Sequence, residues 1–257
     1  MKINNKNDNY LFEEDNIPDK ETVDSSGRKL STSEETKFHT KLLPQPLAGD
    51  LEKGKIFICV LNLGFGDKDY DDEIIIKEEL WKQLNQNNAS MFWLKKDFKD
   101  TGGGQYWRKK FDQNDKKKSL IENILKEYVK NSVDIDKEEV FNMLSKIVVD
   151  LELIPYHSKK CRKTKAVKEL KSVKNMLDYV HNDLIQNAEE NQQIVCFVRS
   201  IRDWKVTNEE KNLTSCVFCN EINGIGLGNF TLNVNLPLGN FVFNHIRKLT
   251  NDFKEIL

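Results

Sequence analysis

No apolar stretch in this chain is long enough to cross a bilayer, and its start, Met1-Lys2-Ile3-Asn4-Asn5, is polar and lacks a signal-peptide pattern. A membrane partner is not expected, and the cytoplasm is the expected compartment. Cysteine is scarce, with five residues, an odd number. Cys59, Cys196, Cys216 and Cys219 sit in strand-like apolar runs, which reads as buried thiols in a reducing compartment. Cys216 and Cys219 form one C-x-x-C but there is no second pair, so a zinc or iron–sulfur site is not called for. G-x-G-x-x-G is absent, which removes the dinucleotide fingerprint. Neither a metal nor a cofactor is expected. An excess of positive charge is also missing: 40 basic residues face 41 acidic ones, so the total gives no argument for a nucleic-acid partner.

What is present is 38% hydrophobic and 32% charged residues over 257 positions, enough for a sizeable core under a highly charged surface. Apolar residues are thin from 1 to 45, where Asn, Asp, Glu, Lys, Ser and Thr dominate. Such a stretch cannot bury enough apolar area to offset chain entropy. It reads as a polar arm, mobile or ordered only by packing, with 46–257 as a single α/β domain. The basic residues are bunched. Lys159, Lys160, Arg162, Lys163, Lys165, Lys168, Lys171 and Lys174 meet only Glu169, and Arg108, Lys109, Lys110, Lys116, Lys117 and Lys118 form a second cluster. Either run alone is as readily solvated surface; two runs flanking one site would make a phosphate-binding surface.

Four apolar runs, Lys55–Leu61, Ile147–Ile154, Ile194–Val198 and Ser215–Cys219, are continuous rather than alternating, as in parallel strands covered on both faces. Helical patterns separate them: Asp72–Asn87, Leu120–Val129, Glu138–Leu144, a long amphipathic stretch from Lys165 to Asn187, and Phe241–Ile256 at the end. The alternation predicts a three-layer α/β/α fold around a central four-stranded parallel sheet. In such sheets ligands sit at the carboxyl ends of the strands.

The first strand runs into Asn62-Leu63-Gly64-Phe65-Gly66-Asp67, where glycines permit a tight turn and close backbone approach. The second holds Glu152 inside an apolar run and exits through Pro155-Tyr156-His157-Ser158; a buried Glu is costly unless it is paired or does chemistry. Between them, Gly102-Gly103-Gly104-Gln105-Tyr106-Trp107 reads as a loop that approaches a ligand closely, or as a flexible connector. The fourth strand exits into Asn220-Glu221-Ile222-Asn223-Gly224-Ile225-Gly226-Leu227-Gly228, an exposed glycine-rich loop with apolar tips, as wedge residues entering a base stack would be.

In order and placement these segments resemble the uracil-DNA glycosylase superfamily, in a divergent bacterial branch that includes glycosylases defending against phages with modified bases. The resemblance spans roughly 44–230. Leu61-Asn62-Leu63-Gly64-Phe65 is similar to the first motif of the thymine/mismatch-specific and single-strand-selective branches, G-[IM]-N-P-G, at Asn62 and Gly64, with Leu63 where the family has Pro. The segment Asn220–Leu227 occupies the second motif's place without its usual wording. The resemblance implies a DNA glycosylase acting on a flipped base. By it Asn62 positions water, Asp67 or Glu152 acts as base or stabilises the cationic sugar, and His157 donates to the leaving base. Gly64, Phe65, Tyr156, Ser158 and Asn220 would form the base pocket. Lys159, Lys160, Arg162, Lys163, Asn223, Ile225 and Leu227 would meet the DNA, duplex or single-stranded, and the protein would act as a monomer.

The family's uracil-reading Asn is replaced by Glu152, and a carboxylate accepts from an exocyclic amine such as cytosine N4, so a cytosine-derived or modified base is expected. Two other readings stay open: a non-catalytic nucleic-acid-binding module, and a hydrolase of free nucleosides or nucleotides.

Overall fold

The computed structural model describes residues 2–6, 9–17, 37–66, 68–85, 89–113, 115–130, 134–160, 164–222, 225–226 and 230–250. The chain opens with a hairpin of β1 (Ile3–Lys6) and β2 (Asn9–Phe12), then reaches β3 (Leu47–Ala48) and β4 (Ile56–Asn62). Helices α1 (Asp69–Asn85), α2 (Gly102–Phe111), α3 (Leu120–Lys130) and α4 (Lys137–Ile147) precede β5 (Val148–Ile154). Helices α5 (Lys165–Lys168), α6 (Lys171–Asp178) and α7 (Ile185–Asn187) lead to β6 (Ile194–Phe197). Then come α8 (Asn208–Lys211), β7 (Val217–Cys219), a small pair β8 (Glu221–Ile222) and β9 (Ile225–Gly226), and α9 (Pro237–Thr250).

The main sheet has the order β3-β5-β4-β6-β7. β5, β4, β6 and β7 pair in parallel, and β3 pairs antiparallel with β5. The protein is therefore α/β with a mixed five-stranded sheet, which corrects the purely parallel four-stranded expectation at one edge. The added strand is two residues long and preceded by Pro44 and Pro46, which suits an edge. Its exit turns at Gly49 (φ 135°), where a Cβ would lie 2.7 Å from the Val148 carbonyl oxygen.

The continuous apolar runs are explained by two cores, one on each face. Ile56, Ile58 and Val60 point into one, with Ile76, Trp93, Trp107 and Phe141. Phe57, Cys59 and Leu61 point into the other, with Leu153, Val173, Leu177 and Trp204. Local signals set the helix starts: Asp136 and Glu139 make a capping box for α4, and Thr101 accepts from Gly104 N to begin α2.

Three expectations change. The Gly102–Trp107 segment is the first turns of α2, not a loop. A Cβ on Gly103 would meet the Trp93 ring at 2.5 Å and one on Gly104 the Phe98 carbonyl at 1.9 Å, so these glycines serve helix packing. The stretch from Lys165 to Asn187 is broken at Leu170 and passes through a π-helical turn over Tyr179–Leu184. In that turn His181 reaches Glu210 at 2.5 Å and the Trp204 carbonyl at 2.7 Å. Lastly, the arm is ordered by packing where it is described. Phe12, Phe38, Leu42 and Leu43 are buried, and Asp15 accepts from Tyr156 OH at 2.7 Å and from Ser172 N at the start of α6 at 2.9 Å.

Candidate active site at the carboxyl edge of the sheet

Register fixes what shares a face. Ile58 pairs with Asp150, Val60 with Glu152 and Asn62 with Ile154. Side chains alternate along a strand, so Asn62, Glu152 and Asp150 lie on the α2 face, with Asn62 at the carboxyl end and Glu152 one pair below.

Asn62 ties two strand exits together. Its Nδ2 donates to the Leu63 carbonyl at 2.7 Å and to Ser158 Oγ at 3.0 Å. Both amide hydrogens are thus used, and Oδ1 is the atom left to accept. Ser158, fully buried, accepts from Asn62 and so keeps its own hydrogen to donate; its backbone N–H donates to the Leu63 carbonyl at 3.2 Å. His157 stands beside it, Nδ1 3.1 Å from the Gly64 carbonyl and 3.8 Å from Asp69 Oδ2. A carbonyl only accepts, so Nδ1 carries the hydrogen. Burial holds the ring neutral, pushing its pKa down to about 4. Nε2 is then a lone-pair acceptor, and the donor role expected of His157 toward a leaving base does not follow.

Phe65 is stacked, but on the protein itself. The His39 ring lies parallel to it at 3.4 Å and 7°, and His39 Nδ1 is 3.1 Å from Tyr70 OH. Lys159 Nζ lies 6.0 Å from the same ring. Tyr156 is not at this corner. Its ring is 1% exposed against Phe12 and Phe38, and its hydroxyl is on Asp15, so it is a core residue rather than a base-stacking one. Asn220 lies two strands over, about 9.6 Å from β4. Its Nδ2 donates to the Val198 carbonyl at 3.3 Å, and its N–H to that of Phe197 at 2.9 Å, joining the exits of β6 and β7.

Below Asn62 the site is acidic and dry. Asp150 is 0% and Glu152 4% exposed. Neither Asp150 oxygen nor Glu152 Oε2 has a hydrogen-bond partner. Burial drives both carboxyls well above their ordinary range; Asp150 raises Glu152 further and Arg199 opposes it. The cytosine expectation rested on an ionised Glu152 and loses that premise. Tyr106, on α2, senses the same group of charges: burial first, then Asp150 and Glu152 against Arg199, carries its hydroxyl up to about 12.

Asp67, Arg162, Lys163, Asn223 and Leu227 lie outside the described residues, and of Ile225 only the backbone, in β9, is described. Lys159 and Lys160 are exposed at the β5 exit. In the second basic cluster, Arg108 donates to the Leu94 carbonyl at 2.8 Å, pairs with Glu138 and lies 3.8 Å over Phe141. Lys110 donates to the Phe230 carbonyl at 2.9 Å. These two fasten helices, leaving Lys109, Lys116, Lys117 and Lys118 exposed.

Sequence reading missed His39, Asp69, Tyr70, Tyr106, Asp150 and Arg199. Only Asp150 carried a local signal, the Asp150-Leu151-Glu152 alternation that puts two acids on one strand face. Among the described residues no cluster of three metal-ligating side chains is present, and no helix is long and apolar enough to cross a membrane. Comparison with protein-family models, curated proteins and solved structures gives no match for this chain.

Proposed function

We propose that the chain is a DNA glycosylase that hydrolyses the N-glycosidic bond of a flipped base, with Asn62 orienting the attacking water. The observation that carries this reading is the 3.0 Å bond from Asn62 Nδ2 to Ser158 Oγ. It brings the exits of two adjacent parallel strands into one polar corner and assigns each atom a role. Asn62 Oδ1 and His157 Nε2 are acceptors and hold the two hydrogens of a water. Ser158 OH is a donor.

The chemistry follows from those roles. A base must leave the stack before its glycosidic bond is reachable. As the bond lengthens, the sugar gains cationic character and the base leaves as an anion. The water oxygen bonds to C1′ and its proton passes toward His157 Nε2. Donors fixed in place, Ser158 among them, stabilise the departing base; one such donor is worth about 2.7–4 kcal/mol. With Phe65 covered by His39, the base enters on the Glu152 side of Asn62. Lys159 and Lys160, exposed at the same edge, suit the phosphates on either side.

The test is abasic-site formation in labelled duplex and single-stranded oligonucleotides carrying unmodified, deaminated or phage-type modified bases. At least one is expected to be cleaved by alkali after incubation. Asn62→Ala should lower that rate about 10²–10³-fold, while losing one hydrogen bond worth about 1 kcal/mol of stability. DNA bound without abasic sites would favour the non-catalytic module, and hydrolysis confined to free nucleosides would overturn DNA as substrate.

A further inference from the structure

We propose that Glu152 reads the ring edge in this cleft by donating its carboxyl hydrogen to a ring carbonyl, and that Asp150 is the positioning residue that keeps that hydrogen in place. The inference rests on the base-binding reading above and gives it a ligand chemistry: a keto-bearing edge, as in uracil-, thymine- or hypoxanthine-type rings.

Three observations carry it. Glu152 is on the same sheet face as Asn62, one register pair below, about 6.6 Å along the strand. That is the depth of a ring whose sugar sits at Asn62. The second observation is the pair itself. Asp150 and Glu152 are two residues apart on one face, both buried, and three of their four oxygens make no hydrogen bond within the protein. A carboxyl retained only for structure normally ties down a backbone or a loop; these do not. The third is the electrostatic surround. Asp150 is a like-charge neighbour from the same strand and Arg199, beyond β6, the opposing cation. Tyr106, from α2, faces both acids. Two ionised carboxylates so placed would stand unpaired in low dielectric, which costs several kcal/mol per ion. A proton on the pair avoids that cost and makes Glu152 a donor. The cleft then offers a ring carbonyl two donors, Glu152 and Ser158, and the water two acceptors.

The experiment combines a protonation readout with a binding readout on the full chain. Carboxyl-carbon NMR of Glu-labelled protein, assigned by comparison with Glu152→Gln, should show Glu152 protonated at pH 7; Asp150→Asn should move its ionisation down by one pH unit or more. Binding is measured by anisotropy with single-stranded probes differing only in one central uracil, hypoxanthine or cytosine. Glu152→Leu should weaken the keto probes at least tenfold. Glu152→Gln, which keeps a donor, should recover most of that loss and abolish the decline of affinity at high pH. A structural role alone would give neither the rescue nor the pH change. DNA binding that ignores these substitutions, or an ionised Glu152 at pH 7, overturns the inference and leaves the glycosylase reading standing. Failure to bind any probe, with Glu152 protonated, overturns both.

Discussion

Replacing Asp150 by Asn changes the pH dependence of stability in a calculable way. Asp150 is fully buried without a hydrogen-bond partner, and burial raises its folded pKa well above its ordinary value. A group with a raised folded pKa contributes stability below its unfolded pKa and loses it as pH climbs toward the folded one. The unfolded chain ionises Asp near pH 4, so above that folding must take up a proton, at about 1.4 kcal/mol per pH unit. His157 and His245 act oppositely. Burial lowers both to about 4, so their contribution is complete above about pH 6.5 and is lost as pH falls toward 4. Between pH 4 and 6.5 the two effects offset. From pH 6.5 to 8 the acids act alone. Asn, nearly isosteric and uncharged, removes one slope. The stability of Asp150→Asn should therefore gain on the unsubstituted protein by about 2 kcal/mol over that window, about 4–8 °C in Tm. Urea unfolding of both proteins at pH 6.5, 7, 7.5 and 8 measures it. Glu152 shares the site, so protons leave in steps belonging to the pair, and Glu152→Gln should show a similar trend. Parallel curves for Asp150→Asn and the parent would refute the reasoning, because they would mean that Asp150 is ionised, and therefore paired, in the fold.

Three further outcomes are expected. Gly103→Ala should cost about 1–3 kcal/mol from overpacking on Trp93 and Gly104→Ala more, against the Phe98 backbone. Gly102→Ala, which meets only the Asp72 carboxylate at 3.2 Å, should stay within about 1 kcal/mol. Equal thermal stability of all three would return this segment to a ligand loop. Tyr156→Phe, which removes the hydroxyl from Asp15, should cost about 1.5–3 kcal/mol; a double-mutant cycle with Asp15→Ala measures the coupling, and strict additivity would deny the contact its role in docking the first residues. Lys159→Ala with Lys160→Ala should reduce the slope of log affinity against log salt on duplex DNA by about 1.8. Arg108→Ala should leave that slope alone and lower Tm, since Arg108 is committed to Glu138, Leu94 and Phe141; the reverse pattern would move the phosphate surface to α2.

The sequence by itself determined the parallel strands and most of the helices. A strand covered on both faces must be apolar at successive positions, as in the run from Ile56 to Leu61, and a helix covered on one face must repeat near 3.6, as in Leu120, Ile121, Ile124 and Tyr128. These are local consequences of burial, so they can be read locally. Asn62 and Glu152 were legible for the same reason: polar residues inside or ending apolar runs stand out. Tertiary structure decided the rest, because it depends on groups far apart in the chain. Whether three glycines make a loop or a helix start depends on Trp93 and Phe98. Whether Tyr156 faces a ligand or the core depends on Asp15, 141 positions away. The hydrogen on His157 is set by the Gly64 carbonyl, 93 positions away, which makes an expected donor an acceptor. The charge on Glu152 is set by the dry neighbourhood of Asp150, Tyr106 and Arg199. Residue types and their periods lie in the sequence, whereas protonation, tautomer and facing arise only when distant segments remove water from one another.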